Sequence, residues 1–245
     1  MGNLNRTSGK PCPICSSSTT TPEDAEYIRC TRCGMVRTRY SYNAKLYGPA
    51  YAKNYVAYAT SPINIPLNLF RLGLVSRWLR PGESLLDVGC AVGEFIRFAE
   101  KYYNCSGFEP NEVASKIARK RCDSLISEQL NGFQEVKCIT MFDVLEHIEE
   151  PVSFLQTLLS KAHADVKIVL TTPNVEVIPS WNDVELRQWK HYKPEEHLFL
   201  YTEDALSALC KRVELEPIHW GREESDIRPG NPDGDILTCV ARKSK

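Results

Sequence analysis

The chain has 245 residues, 42% of them hydrophobic and 25% charged, enough for one large domain or one domain with a small appendage. With 31 acidic and 30 basic residues its formal charge is −1, which removes the electrostatic case for wholesale nucleic-acid binding and leaves only a local patch open. No apolar run reaches the roughly 18 residues that cross a bilayer, and the opening "MGNLNRTSGK" lacks a secretion signal's apolar core and puts Arg6 where a myristoylation signal needs Ser or Thr, so a cytoplasmic protein is expected.

Residues 1–40 carry the first strong pattern. "CPIC" at Cys12–Cys15 and "CTRC" at Cys30–Cys33 are separated by fourteen residues. Each pair can form a knuckle whose two thiolates point the same way, and two knuckles complete a tetrahedral site for Zn²⁺. Gly34 suits the tight turn that closes the second knuckle. Four protein thiolates leave no open position for a reactant, so the expected role is structural, in a segment too short to hold a core of its own. Two disulfides are the alternative, disfavoured in a reducing compartment. Cys90, Cys105, Cys122, Cys138, Cys210 and Cys239 are scattered through apolar or helical surroundings and read as small buried hydrophobes.

Residues 41–80 read as a tyrosine-rich helical linker or lid. The stretch 40–58 holds six tyrosines, and Tyr51, Tyr55 and Tyr58 recur at helical spacing on one face. Core packing is the more common use of such a stripe; a lid presenting hydroxyls to a ligand is the functional alternative. "INIPLNLFRLGLVSRWL" predicts a second helix packing through Leu67, Phe70, Leu74, Val75 and Trp78, and "RPGE" ends it in a turn.

From Ser84 strands and helices alternate, the signature of a doubly wound α/β sheet. "SLLDV" is a buried strand and "GEFIRFAEKYY" a helix; "CSGFE" is the second strand, followed by helix "NEVASKIARKR". "DSLIS" and "VKCITMF" are the third and fourth strands, and "PVSFLQTLLSKA" is a helix with Pro151 in its first turn. "DVKIVLTTP" is the fifth strand, "TEDALSALCKR" a helix capped by Thr202, and "LEPIHW" and "ILTCVAR" the last two strands.

The first of these strands ends in "DVGCAVGEF". Gly89 and Gly93 let the backbone turn sharply at the carboxyl end of the strand, where open α/β sheets bind ligands. Glu109 follows at the tip of the second strand, 22 residues after Asp87, placed to accept both hydroxyls of a ribose. A dinucleotide fold would want G-x-G-x-x-G, which "GCAVGEF" does not provide. Asp87, two residues before the first glycine, suits an amino group better than a pyrophosphate. A nucleoside with a zwitterionic tail fits both acids, and S-adenosylmethionine is such a molecule.

"LLDVGCAVGEF", "GFEPNEVA", "FDVLEHIEEP", "LTTPN" and "EEHLFLYTEDAL" resemble, in order, the motifs of class I S-adenosylmethionine-dependent methyltransferases over residues 65–243. The likeness extends to the ubiquinone-biosynthesis O-methyltransferase branch and to bacterial glycan and nucleotide-sugar methyltransferases that place a cysteine ribbon before a tyrosine-rich linker. It implies a Rossmann-like doubly wound α/β fold, a seven-stranded methyltransferase sheet over residues 81–245 preceded by the small zinc-binding module. It also implies Asp87, Gly89, Ala91 and Gly93 around the methionine part of the cofactor, Glu109 and Pro110 at the ribose, and Phe142 near the adenine or sulfonium. Ala91 stands where the family usually has a glycine, tolerable if that residue keeps negative φ. A second departure is the lack of a glycine between Arg212 and Leu215.

Asp143, Glu146 and His147 follow the fourth strand at a spacing that puts all three on one face if a helical turn begins there, and the fold should return His197 over the same edge. Such an oxygen and nitrogen set suits Mg²⁺, Mn²⁺ or Zn²⁺ and resembles the metal site of small-RNA 3′-end 2′-O-methyltransferases. Metal-free acid–base chemistry by His147 or His197 is the equal alternative; a purely structural cluster is the third. Residues 174–196 interrupt the alternation, and Trp181, Trp189 and Tyr192 there, with Tyr51 and Tyr55, are the expected acceptor contacts. The reading is methyl transfer to a hydroxyl of a saccharide, nucleotide-sugar or related small metabolite. The alternative is a zinc-ribbon RNA-binding protein or RNA methyltransferase, with Arg29, Arg32, Arg37 and Arg39 as its modest basic cluster; C- or N-methylation shares the same cofactor pocket.

Overall fold

The computed structural model describes residues 11–20, 26–43, 46, 48, 55–57, 60–178, 183–228 and 234–244. In chain order, strands β1 (Thr19–Thr20), β2 (Tyr27–Cys30) and β3 (Val36–Thr38) form an antiparallel ribbon, and helix α1 (Ile65–Ser76) follows. The alternation then runs β4 (Ser84–Val88), α2 (Ile96–Ala99), β5 (Asn104–Phe108), α3 (Glu112–Arg121), β6 (Leu125–Ser127), β7 (Val136–Phe142), α4 (Pro151–Ser160) and β8 (Ala162–Pro173). It closes with α5 (Asp183–Gln188), β9 (Phe199–Leu200), α6 (Glu203–Arg212), β10 (Leu215–Gly221), α7 (Glu224–Ile227) and β11 (Ile236–Lys243).

The main sheet has seven strands in the order β10-β11-β8-β7-β4-β5-β6. Strands β4 to β8 pair in parallel, and β11 runs antiparallel to both of its neighbours. Buried on both faces, β7 and β8 read as the near-continuous apolar runs that parallel strands require. The chain reverses direction across the sheet between β4 and β7, where Asp87 lies in register with Thr140. That switch point is where an open α/β sheet leaves a crevice beyond its carboxyl ends.

Local rules explain most element ends. Asn111 caps α3, its side chain accepting from the Val113 and Ala114 amides at 3.0 and 3.0 Å, with Arg119, Lys120 and Arg121 in the last turn. The Thr202 hydroxyl accepts from Ala205 N at 3.0 Å, the cap expected for α6. Two expectations change. "GEFIRFAEKYY" gives only one turn of regular helix, Ile96–Ala99, between irregular turns, because Gly93 takes a positive φ for the loop before it. Where no glycine precedes β10, Glu214 itself adopts φ +58.

The cysteine ribbon is joined to the rest by a sheet. β9 pairs with β3, Val36 opposite Leu200 and Arg37 opposite Phe199, making a four-stranded order β1-β2-β3-β9. Cys12, Ile14, Cys30, Cys33 and Met35 share one apolar cluster with Met141 of β7, Tyr201 and Leu206 of α6.

Candidate active site

The glycine turn after β4 needs three left-handed residues in five: Gly89 at φ +68, Ala91 at +49 and Gly93 at +76. A Cβ on Gly89 would come within 2.6 Å of Val144, and one on Gly93 within 2.3 Å of the Cys122 sulfur, so both glycines are required on space as well as conformation. Ala91 does not keep the negative φ expected of it. Its backbone turns to point N–H at Glu109 Oε2, 2.9 Å away, and the conformation carries the Cβ strain that glycine would avoid.

Glu109 Oε1 accepts from Asn111 N at 2.8 Å, so the carboxylate ties the first strand's loop to the second's, across Pro110. Each oxygen keeps a further lone pair, as a ribose would require. Burial raises this carboxyl above the usual range, opposed by those two amides. Asp87 is buried, accepts from the Thr140 hydroxyl at 2.7 Å, and is pushed up to about 7 by burial. Phe142, at the end of β7, meets Phe95 edge-on at 4.9 Å and lies under the Arg71 guanidinium at 4.3 Å.

Beyond β7 the chain makes one 3-10 turn, Leu145–His147, which brings Glu146 and His147 to His197; ligand atoms of all three lie within 4.8 Å of one another. Glu146 is fully buried: Oε2 accepts from the Thr172 hydroxyl at 3.1 Å and Oε1 has no hydrogen-bond partner among the described residues. Burial pushes its carboxyl up to about 8, with Asp143 reinforcing the shift. The Nδ1 atoms of His147 and His197 lie 2.9 and 2.8 Å from the carbonyls of Glu196 and His191. A carbonyl only accepts, so each Nδ1 carries the proton and each lone pair sits on Nε2. Burial holds both imidazoles neutral, lowering His147 and taking His197 down to about 3. Their rings meet edge-on at 4.8 Å.

Asp143 does not join them. At φ +57 its carboxylate turns away to Arg71 (3.2 Å) and Arg228 (2.6 Å), and Glu224 receives the same two guanidiniums, Arg71 at 2.7 Å. Burial works against the charge on Asp143, but Arg228 and Arg71 outweigh it and hold the carboxyl down to about 2. A left-handed residue between strand and turn breaks the helical i, i+3 relation that would have aligned it with Glu146. Sequence reasoning missed Arg71, Glu224 and Arg228; the i, i+4 spacing of Glu224 and Arg228 was the available signal.

The four cysteines converge. Their sulfurs lie within 4.8 Å of one another, Cys12 to Cys33 at 3.8 Å and Cys15 to Cys30 at 3.4 Å. A tetrahedron with Zn–S bonds of about 2.3 Å has edges of about 3.8 Å. The amides of Ile14 and Cys15 point at Cys12 Sγ and those of Arg32 and Cys33 at Cys30 Sγ, all at 3.4 Å, donors that would stabilise thiolates. The set fits Zn²⁺. Of the other cysteines, Cys105 is half-buried and the remaining five are buried.

The expected acceptor contacts fare differently. Trp189 is buried, its Nε1 donating to Asp235 at 2.8 Å, and Tyr192 packs edge-on against Tyr27 of the ribbon at 6.5 Å. Both serve packing between the insertion and the ribbon, because the apolar cluster there uses them as its floor. Tyr55 is half-buried against Val92 and Ala114, beside the glycine turn. Tyr51, Tyr58 and Trp181 lie outside the described residues. A cleft of about 650 Å³ where ribbon meets α6 is lined by Arg29, Cys30, Arg32, Cys33, Glu176 and Asp204 among others, and by none of Asp87, Glu109, Glu146, His147 and His197 at the sheet edge.

A family model for a methyltransferase domain matches residues 67–219, and the chain belongs to that methyltransferase family. Similar solved structures include an S-adenosylmethionine-dependent methyltransferase from Aquifex aeolicus, 17% identical, covering 80% of this chain and 98% of its own, with a TM-score of 0.58. The plantazolicin methyltransferase BpumL in complex with SAH is 15% identical (82% and 93% covered, TM-score 0.58). A methyltransferase from Methanosarcina mazei is 12% identical (70% and 97% covered, TM-score 0.56). These share the fold. No curated protein sequence matches the chain. The protein is thus an S-adenosylmethionine-dependent methyltransferase with the expected seven-stranded α/β sheet. Among the described residues no helix is long and apolar enough to cross a membrane.

Proposed function

We propose that this enzyme methylates a hydroxyl of a saccharide, nucleotide-sugar or related small acceptor, with Glu146, His147 and His197 preparing the nucleophile. The observation that carries this reading is the buried Glu146 Oε1, without a hydrogen-bond partner among the described residues, beside two neutral imidazoles at the cofactor edge. A sulfonium methyl is already electrophilic, so the residual barrier is removal of the hydroxyl proton near neutral pH. The three residues fit that task. An Nε2 lone pair can take the proton directly, and Glu146, once its raised carboxyl ionises, can stabilise the imidazolium that forms.

The same three also fit a divalent cation, since each histidine gives its other N–H to a backbone carbonyl in the manner of an oriented metal ligand. A cation bound there would lower the pKa of a coordinated hydroxyl by Lewis acidity. With Asp143 held by arginines, the donor set is one oxygen and two nitrogens, which favours Mn²⁺ or Zn²⁺ over Mg²⁺. The four cysteines would hold a structural Zn²⁺. The basic cluster gives RNA binding less support, because Arg37 lies over the Phe199 ring at 5.6 Å.

The test is a screen with radiolabelled S-adenosylmethionine against sugar nucleotides, phenols and RNA, in EDTA and with Mn²⁺ or Mg²⁺ restored. Wild type is compared with His147→Ala and His197→Ala. Transfer to a hydroxyl acceptor that falls about 10²-fold or more in each variant is expected. Label appearing only in RNA, or undiminished transfer by both variants, overturns the reading.

A further inference from the structure

One buried carboxylate gathers three consecutive residues of the insertion between β8 and β9. Asp235, the residue before β11, has a side chain with no solvent exposure. Its Oδ1 accepts from Trp189 Nε1 at 2.8 Å, and its Oδ2 from Lys190 Nζ at 3.1 Å and His191 Nε2 at 3.1 Å. Its backbone carbonyl accepts from Asn174 N at 2.9 Å, at the insertion's other end. Three consecutive side chains of the insertion therefore converge on one acid.

His191 passes this anchoring on. Its carbonyl accepts the Nδ1 proton of His197 at 2.8 Å, and the two rings stack at 6.4 Å with 19° between their planes. An imidazole whose N–H has a fixed acceptor is held in one tautomer and one orientation. The same carbonyl also accepts from Lys193 N at 2.9 Å, so the backbone holds it from one side and the His191 side chain, through Asp235, from the other.

Resting on the function proposed above, we propose that Asp235 is a positioning residue for His197: by anchoring His191 it fixes the carbonyl that keeps the His197 proton on Nδ1 and the lone pair on Nε2. Partners of this kind, one step removed from the reacting atoms, commonly matter about 10- to 100-fold. The arrangement assigns Trp189 and His191 to support of the site rather than to acceptor stacking. It also gives Asp235, the last residue of the stretch "RPGNPDGD", a purpose that the loop-like composition conceals.

The experiment is a long-range imidazole ¹H–¹⁵N correlation on the metal-free, ¹⁵N-labelled full chain, which has five histidines to resolve. His197 is assigned by the signal lost in His197→Gln. Wild type should show His197 as the single Nδ1–H tautomer. Asp235→Asn, which cannot accept from all three donors, should shift it to a mixture of both tautomers while SAH affinity by calorimetry stays within about twofold. His191→Phe, which keeps the ring and removes its bond to Asp235, should do the same if Asp235→Asn fails to fold. Lys190→Met, which removes only the outer donor, should leave the spectrum of His197 unchanged. A wild-type tautomer in folded Asp235→Asn or His191→Phe overturns the proposal, as does an equal shift in Lys190→Met. The tautomer is read without any acceptor, so methyl transfer that proves independent of His197 defeats the function reading alone.

Discussion

Cofactor affinity should depend on pH through Asp87, and the sign can be worked from its surroundings. Burial pushes this carboxyl up to about 7; the Thr140 hydroxyl and the Arg71 charge pull it down, and Glu109 pushes it further up. The Cys90, Cys105 and Cys138 thiols around it are themselves raised by burial and stay neutral. If Asp87 receives the ammonium of S-adenosylmethionine or SAH, as the family resemblance implies, the ligand selects the ionised form. Below pH 7 the ligand must therefore displace a proton, and affinity falls about tenfold per pH unit, roughly 1.4 kcal/mol each. Between pH 7 and 5 SAH should weaken by about 50-fold, since half the carboxyl is already protonated at pH 7, and above about pH 8 the curve should flatten. Stability of the unliganded protein runs the other way. An acid with a folded pKa near 7 and an unfolded value of 3.8 binds more protons when folded, so stability is greatest below about pH 4. It declines by up to about 4 kcal/mol as pH rises to 7. Calorimetric titration of SAH at four pH values, with Asp87→Asn beside wild type, tests this directly. A wild-type affinity that is flat from pH 5 to 7, or a slope that survives in Asp87→Asn, refutes the reasoning.

Other substitutions have comparably definite outcomes. Ala91→Gly relieves left-handed strain of about 1–2 kcal/mol against about 0.4–1 kcal/mol of added unfolded-chain entropy. The Tm should rise by about 2–4 °C in scanning calorimetry, and a fall with SAH binding intact would contradict the φ of +49. Gly93→Ala should abolish SAH binding, and adding Cys122→Ala should restore it only partly, since the 2.3 Å clash is removed but the +76° backbone remains. Glu224→Ala leaves two buried guanidiniums sharing Asp143 and should cost about 3–5 kcal/mol in denaturant unfolding; a loss under 1 kcal/mol would show that the network carries little. Stripping the cysteine site with a strong chelator should release close to one zinc per chain by elemental analysis and lower the Tm; no zinc in protein purified without chelator would remove the structural assignment.

What the sequence made legible follows from range. The glycine turn, Asp87, Glu109 and the cysteine knuckles are local patterns whose chemistry sits within a few residues, and strand alternation with capped helices gave the sheet. The site needed more. Helical spacing groups Asp143 with Glu146 and His147, and one residue at φ +57 undoes that. Its partners Arg71 and Arg228 are 72 and 85 residues away, so no window of sequence shows them together. Composition suggests sugar stacking for Trp189 because exposure cannot be read from it; its acceptor, Asp235, lies 46 residues further on, just before β11.

The ribbon illustrates how a module that looks appended can take part in a site. Leu198 is the neighbour of His197, and both of its backbone groups are engaged: its N–H donates to the Glu146 carbonyl at 2.8 Å and its carbonyl accepts from Thr38 N at 2.9 Å. One residue thus links the strand that follows the second cysteine pair to the turn that carries Glu146. Four residues later the Thr202 hydroxyl donates to the Cys33 carbonyl at 2.5 Å, directly at the knuckle. The ribbon is too short for a core of its own and shares the main one through Ile14 and Met35, so the cysteine cluster adds to an order that packing already supports. Loss of order there would free β9 along one edge and with it the residue beside His197. Metal at the cysteines, some residues removed from any reacting atom, would then govern catalysis through geometry rather than through coordination of the substrate.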